Sequence, residues 1–140
     1  MDPFSLSTGI AGLVDLAVSV GKTVWKLQAS FRGASKSLSQ LADEVASISS
    51  ALSILQSRLE RMRLAEPQVP LNTGIVTALE MPLKRCKETL KDIQKQFEGD
   101  VSFRRKLSWA FKDEEKVDAF IRNLALDKMH FTMVLQLDMS

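Results

Sequence analysis

Three groups of residues in this sequence have side chains that could do chemistry. Cys86 and His130 are the only cysteine and the only histidine, and a thiol beside an imidazole base can act as a nucleophile. The tripeptide Gly21-Lys22-Thr23 matches the end of a phosphate-binding loop, in which lysine and threonine hold phosphate and magnesium. The run 103–109 combines three adjacent positive charges with aromatic side chains. For any of these groups to function, the chain must also supply the other residues that the corresponding kind of site requires.

The thiol and the tripeptide lack the context that catalysis requires. A phosphate-binding loop needs a glycine at the position of Leu16, and no strand-like pattern precedes it. Cys86 is in register with Leu83 and Leu90 on an apolar helical stripe, which favours a small buried hydrophobic side chain. One cysteine and one histidine also exclude a disulfide framework and a zinc site of the usual spacing. We therefore predict a protein that is not an enzyme and uses no cofactor or metal.

The overall composition narrows the class of protein further. The chain has 140 residues, of which 45% are hydrophobic, and a net charge of +2. A chain of this length is expected to form one domain with its own core. A net charge this small gives no overall field that steers the protein to nucleic acid, so we predict no nucleic-acid partner. A single cysteine fits a reducing compartment, and we predict a cytoplasmic location.

Apolar residues recur at helical spacing along most of the chain, and no segment shows the alternation of a half-buried strand. The most regular stripe consists of Leu38, Leu41, Val45, Ile48, Leu52, Leu55, Leu59 and Met62. The predicted helices cover residues of about 3–30, 35–63, 73–97, 102–111 and 113–137. We predict an all-α fold over residues 1–140, an up-and-down bundle of four main helices with an extra short helix before the last. Short connections favour antiparallel neighbours, and Pro82 is expected to kink or restart the third helix.

The basic run contains Arg104, Arg105 and Lys106 between Phe103 and Trp109. This chemistry suits anionic lipid headgroups and also single-stranded nucleic acid. Clusters of this size are also common on ordinary solvated surfaces, where they cover packed aromatic rings. We predict a contact with lipid headgroups and keep the solvated surface as the alternative.

The first helix is unusually apolar, because the seventeen residues from Phe4 to Val20 carry one charge, Asp15. At about 1.5 Å per residue they span roughly 25 Å, near the lower limit for crossing a bilayer. Eight large apolar residues contribute about −0.3 to −0.6 kcal/mol each to insertion, whereas Asp15 costs about 3 kcal/mol. The sum is close to zero, so a constitutive span is disfavoured, while insertion with partners that shield Asp15 remains open. The acidic start Met1-Asp2-Pro3 argues against a signal peptide.

Small residues in the first helix form pairs spaced by four. Gly9, Gly12, Ala17 and Gly21 belong to such pairs, which let helices approach closely in lipid. The alternative is a helix buried at the centre of the bundle, whose small residues allow tight packing in water. The two interpretations are compatible, because the same helix could be buried at rest and released later.

Three segments of the chain resemble a known family. Residues 1–5 with 9–13, the run 52–55 and the segment 107–112 resemble the HeLo-like domain, the fungal N-terminal domain of STAND (NLR-like) receptors. The resemblance implies a helical bundle at the front of a receptor, or one fused to a short amyloid-type motif. No nucleotide-binding module or repeat array follows Ser140, so we expect an excised domain or a short stand-alone member.

The family is similar in role to the membrane-targeting bundles of HeLo proteins, mixed-lineage kinase-like executioners and plant coiled-coil resistance domains, whose first helix engages the membrane after oligomerisation. The resemblance therefore implies contact with the membrane through a set of apolar residues, with Gly9 and Gly12 between them. The set consists of Phe4, Leu6, Ile10, Leu13 and Leu16.

These expectations together define a function. We predict a signalling or executioner domain of a fungal immune or programmed-cell-death system, such as heterokaryon incompatibility. It would self-associate, move from the cytoplasm to the plasma membrane and disturb anionic membranes there. Its partners would be further copies, anionic lipids, and receptor or amyloid-motif modules in a longer protein. The alternative is a structural or adaptor bundle that mediates self-association or docks a partner and keeps the first helix in its core.

Overall fold

A computed structural model describes residues 3–30, 36–65, 73–97 and 114–138, and every one of these residues is helical. The four helices are α1 (Pro3–Ser30), α2 (Lys36–Ala65), α3 (Thr73–Phe97) and α4 (Glu114–Asp138). Their bounds lie within two residues of the predicted ones. The predicted all-α bundle of four main helices is confirmed, and the extra short helix at 102–111 falls outside the described residues.

Each helix forms because its apolar residues repeat at spacings of three and four and so share one face. The stripe of α2 is buried along its whole length, from Leu38 to Leu59, and Met62 is partly buried at its end. Helix α3 runs through Pro82 without interruption, so a restart at this residue is wrong. Leu79 and Leu83 on either side of the proline are both buried, and their packing holds the helix together across the missing backbone hydrogen bond.

Helices α1 and α2 are antiparallel neighbours. Gln28 near the end of α1 donates a hydrogen bond of 2.9 Å from Nε2 to Oγ of Ser39 near the start of α2. Gly21, earlier in α1, lies beside Val45, later in α2. The short connection between the two helices brings them back against each other, as the sequence predicts.

Helix α4 packs on both α2 and α3, but its direction relative to the two helices differs. Lys128 of α4 reaches Ser47 of α2, whereas Val134, further along α4, lies near Leu59, further along α2. These two helices therefore run parallel. On the other side Arg85 of α3 meets His130 of α4, while the start of α3 lies near Val134, so α3 and α4 are antiparallel.

The order of neighbours around the bundle differs from the order along the chain. Extensive contacts join α1 to α2, α2 to α4, α4 to α3 and α3 to α1. Helices α2 and α3 therefore lie on a diagonal, although they are consecutive and alternate in direction. The expectation that short connections join neighbours fails for α2 and α3, which are separated by only seven residues in the sequence and have no extensive contact with each other.

All four helices contribute to one apolar core. The largest fully buried side chains include Phe97 of α3 and Phe131 of α4, beside leucines and isoleucines of α1 and α2. Full burial of such a side chain stabilises the fold by about 1.5–3 kcal/mol. The core therefore fixes which face of α1 points inward.

Candidate functional site

The amino-terminal half of α1 directs its apolar residues into the core. Leu6 and Ile10 are completely buried, Leu13 is 5% exposed, and Leu16 is partly buried against the core. The side chain of Phe4, the remaining residue predicted to meet the membrane, lies outside the described part. In this state of the bundle the described members of the set contact protein, so contact with lipid would require α1 to move.

The opposite face of α1 is exposed and only sparsely charged. Asp15 and Lys22 lie on this face, together with two apolar side chains, Val18 at 42% and Trp25 at 63% exposure. Among the described helices, none is both long enough and apolar enough to cross a membrane. The structure thus gives α1 one fully apolar face and one mixed face.

The four small residues of α1 have two different surroundings. A Cβ atom added at Gly9 or Gly12 would meet nothing within 4 Å, so these glycines do not serve close packing inside the bundle. Ala17 is buried, and a Cβ at Gly21 would lie 3.5 Å from Cγ1 of Val45 on α2. Only Ala17 and Gly21 therefore bring helices together here, and close packing of Gly9 and Gly12 in lipid stays a prediction.

A groove with a volume of about 690 Å³ opens between α1 and α3 at the level of the two unpacked glycines. Its floor is apolar and consists of Leu6, Leu13 and Leu16 from α1 with Leu83 from α3. The groove exists because α1 has no side chains at Gly9 and Gly12 to fill the space beside α3.

The α3 side of the groove is lined by lysines. Lys84, Lys87 and Lys91 recur at a helical spacing of three and four and are all exposed. Glu80, one turn before Lys84, is the acidic residue of this lining. The groove therefore combines an apolar floor with an excess of positive charge along one edge.

A buried carboxyl group lies between α3 and α4. Asp127 is 1% exposed, and its Oδ2 has no hydrogen-bond partner. Burial raises the pKa of this carboxyl to about 6, and the nearby Arg85 guanidinium lowers the pKa in part. Near neutral pH the site holds a negative charge inside the protein.

The two candidate catalytic residues flank this carboxyl without forming a nucleophile–base pair. Cys86 is completely buried, and burial together with the charge of Asp127 raises the pKa of its thiol to about 12. The side chain of His130 points to Arg85, whose Nη2 lies 3.4 Å from His130 Nδ1. The thiol therefore stays protonated, and the prediction of Cys86 as a small buried hydrophobic residue is confirmed.

Of the other two sequence motifs, one forms ordinary helix and the other lies outside the described part of the chain. Gly21-Lys22-Thr23 lies within α1, where the Thr23 hydroxyl donates to the Ser19 carbonyl at 3.2 Å, so these residues form an ordinary turn of helix. The basic cluster of Arg104, Arg105 and Lys106 falls outside the described residues. Within the described ranges, no group of three or more histidine, cysteine or acidic residues could hold a metal ion.

An ion pair connects α2 to α4. Nζ of Lys128 lies 2.9 Å from Oε1 of Glu44 and donates its hydrogen bond to Oγ of Ser47 at 3.1 Å. At this distance the Lys128 ammonium and the Glu44 carboxylate form an ion pair. It anchors the middle of α4 on α2.

Helix α4 also carries apolar side chains on its solvent face. Leu126, Met129 and Met133 are 41–52% exposed and recur at spacings of three and four, opposite the buried stripe. We call these three residues the α4 stripe. Single exposed apolar residues are ordinary, but three on one face form a surface that a partner could cover.

Sequence reasoning missed the buried carboxyl and the groove. Asp127 continues the spacing of Phe120, Leu124, Phe131 and Val134, so its position in the apolar register was a usable signal of burial. The groove had no comparable signal, because it depends on how α1 and α3 pack.

The fold and these surfaces define an all-helical domain without a catalytic constellation among its described residues. A match over residues 1–136 shows its family: the chain belongs to the family described as Pigment biosynthesis cluster protein PigL N-terminal. This family agrees with the expected fungal N-terminal helical domain. Searches of curated proteins and of solved structures gave no match.

Proposed function

We propose that this domain is a non-catalytic signalling or executioner module of a fungal immune or cell-death system, related to the HeLo-like domains of STAND receptors. On activation it self-associates, and α1 leaves the bundle to engage the plasma membrane. In a longer protein, receptor or amyloid-motif modules would provide the clustering. Arg104, Arg105 and Lys106 would then meet anionic headgroups.

The observation that carries this proposal is the charge distribution along α1. From Pro3 to Gly21 this helix carries Asp15 alone, and Asp15 is exposed on the bundle surface. No buried charged side chain of α1 therefore holds its amino-terminal half in place among the described residues. The contacts that retain this half are largely apolar.

Apolar contacts can be exchanged for lipid at small net cost. The buried residues of α1, among them Leu6 and Ile10, lose contact with the core on release but regain an apolar environment in the acyl region of a bilayer. Exposure of the faces of α2 and α3 that α1 covered remains a cost, and Asp15 adds a penalty of about 3 kcal/mol near the middle of a span. Several copies of α1 that shield one another's aspartate would reduce this penalty, which is why release is coupled to clustering.

A reversible crosslink tests whether α1 must leave the bundle. A Cβ at Gly21 lies 3.5 Å from Cγ1 of Val45, so cysteines at these two positions are close enough for a disulfide. The double variant Gly21→Cys/Val45→Cys is clustered through an added trimeric coiled coil and mixed with dye-filled vesicles of phosphatidylcholine and phosphatidylserine. We expect the oxidised form to release at least about tenfold less dye than the reduced form, since a disulfide far outlasts the assay.

The same protein after reduction is the matched control, and the parent chain shows any effect of the reductant itself. Cys86 does not compete for the crosslink, because it is buried and its pKa is raised to about 12. Equal leakage from the oxidised and reduced forms would contradict the proposal.

The second candidate function is an adaptor bundle that never opens, and the α4 stripe favours it. Leu126, Met129 and Met133 offer a docking surface that leaves α1 in the core. In the crosslinking experiment an adaptor would leave the vesicles intact in both redox states. The leakage assay therefore separates the two functions.

A further inference from the structure

The groove between α1 and α3 has the two properties of a site for an amphiphile. Its volume of about 690 Å³ falls within the range of about 300–1,000 Å³ that small-molecule sites occupy. Its floor is made of leucines, whereas its α3 edge carries Lys84, Lys87 and Lys91. We infer that this groove binds one molecule of a single-chain lipid with a phosphate headgroup.

The apolar floor accounts for the acyl chain. Leu6, Leu13 and Leu83 line the groove, and at Gly9 and Gly12 nothing beyond the adjoining residues and backbone of α1 lies within 4 Å of a Cβ position. An acyl chain laid along this stretch of α1 would fill the space that the glycines leave open and remove apolar surface from water. A polar ligand would gain nothing from such a floor.

The lysine edge accounts for the headgroup. Lys84, Lys87 and Lys91 outnumber the one acidic residue of the lining, Glu80, so the field beside the floor is positive. Glu80 lies at one end of the lysine row and would repel an anion there, which directs the headgroup toward Lys87 and Lys91. A phosphate monoester carries the charge and the acceptor oxygens to meet several ammonium groups together.

This site is distinct from the proposed membrane function. The groove exists only while α1 lies against α3, so lipid binding is a property of the closed monomer and needs neither clustering nor a bilayer. Failure of the vesicle assay would leave the site intact, and failure of the site would leave the vesicle assay intact.

Calorimetric titration of the whole monomeric chain tests the inference. The probe is oleoyl lysophosphatidate below the concentration at which it forms micelles. Monooleoylglycerol has the same chain without the charge, and glycerol 3-phosphate has the headgroup without the chain. We expect one lysophosphatidate per chain, binding weaker by about tenfold or more for the neutral lipid, and no measurable binding of glycerol phosphate.

Two variants assign the binding to this groove. Gly12→Phe fills the open space and should lower the affinity by about tenfold or more, whereas Gly12→Ala leaves most of the space and should bind like the parent. Replacing Lys84, Lys87 and Lys91 by glutamine should weaken lysophosphatidate binding without weakening that of the neutral lipid. Lys22, Lys26 and Lys36, which are exposed and do not line the groove, give the matched triple control.

Thermal unfolding of every variant shows that the bundle is intact. The inference is overturned if the parent chain does not bind lysophosphatidate, or if binding survives both the filled groove and the lost lysines. It is equally overturned if the groove is the contact with a second copy. Gly12→Phe would then change the sedimentation of the chain while the lipid has no effect.

Discussion

Helix α3 packs against α4 on one side and against α1 on the other. Its charged residues face polar groups on the α4 side and an apolar surface on the α1 side. Toward α4, Nη2 of Arg85 lies 3.4 Å from Nδ1 of His130, and the Arg85 guanidinium interacts with the buried carboxyl of Asp127. Toward α1, Lys84 and Lys87 stand beside an apolar floor. The partner helix causes the difference, because α4 supplies His130 and Asp127 at this level, whereas the charged residue in the amino-terminal half of α1, Asp15, is exposed and does not line the groove.

Helix α1 is therefore retained by its buried face and gains little from its groove face. Helix α4, by contrast, is joined to its neighbours by apolar packing and by charged groups, including the Glu44–Lys128 ion pair.

Shortening a side chain on the buried face of α1 should destabilise the bundle most. Ile10 is fully buried, so Ile10→Ala should lower the free energy of unfolding by about 4 kcal/mol. Leu16 is only partly buried where it lines the groove, and Leu16→Ala should lower it by about 1 kcal/mol. Urea titration at fixed pH measures both. Equal losses would mean that the groove face contributes as much as the core face.

The buried carboxyl predicts that the α4 side responds to pH. Because burial raises the pKa of Asp127 to about 6, the folded chain binds a proton more tightly than the unfolded chain does. The free energy of unfolding should therefore fall by roughly 3 kcal/mol as the pH rises from about 4 to about 6, and this contribution stays constant above that.

Asp127→Asn should remove this pH dependence and raise the stability at pH values above the transition by roughly 2 kcal/mol, since the amide carries no buried charge. Denaturant titrations across this range check the slope. Asp118→Asn, at an exposed position of the same helix, is the control. A slope that persists in Asp127→Asn would show that another group is responsible.

The smallest expected effects come from the glycines of α1. Gly12→Leu should raise the free energy of unfolding by about 0.5–1 kcal/mol, because leucine favours the helix and the groove has room for it. Gly21→Leu should lower it by about 1 kcal/mol, since the added side chain must fit against Val45. Thermal unfolding compares the pair. If both leucines stabilise equally, the α2 side of α1 is as open as the α3 side.

The sequence predicts the helices of this fold well and their arrangement only in part. The stripe from Leu38 to Met62 repeats so regularly that both the bounds and the inner face of α2 follow from it. Periodicity identifies the face that is buried but not the helix that covers it. The diagonal relation of α2 and α3 could therefore not be predicted.

The candidate site can also be predicted from the sequence only in part, for a different reason. Leu6, Ile10 and Leu13 are apolar, and an apolar side chain suits a protein core and a bilayer equally, so their sequence alone leaves both environments open. Gly9 and Gly12 indicate that a surface can approach closely but not whether one does. Lys87 and Lys91 belong to a candidate site only because the leucines of α1 lie beside them, and the sequence does not show this neighbourhood.

The diagonal relation of α2 and α3 has a consequence for the three helices that would remain if α1 left the bundle as proposed. Helices α2 and α3 have little direct contact, and α4 packs extensively on both. A three-helix remnant would therefore be joined through α4, with an uncovered seam between the other two along the line that α1 occupied. That seam would expose the inner leucines of α2 and α3 together. The departure of a single helix would therefore leave a continuous apolar surface on the other three, and the remnants of two molecules could associate through it.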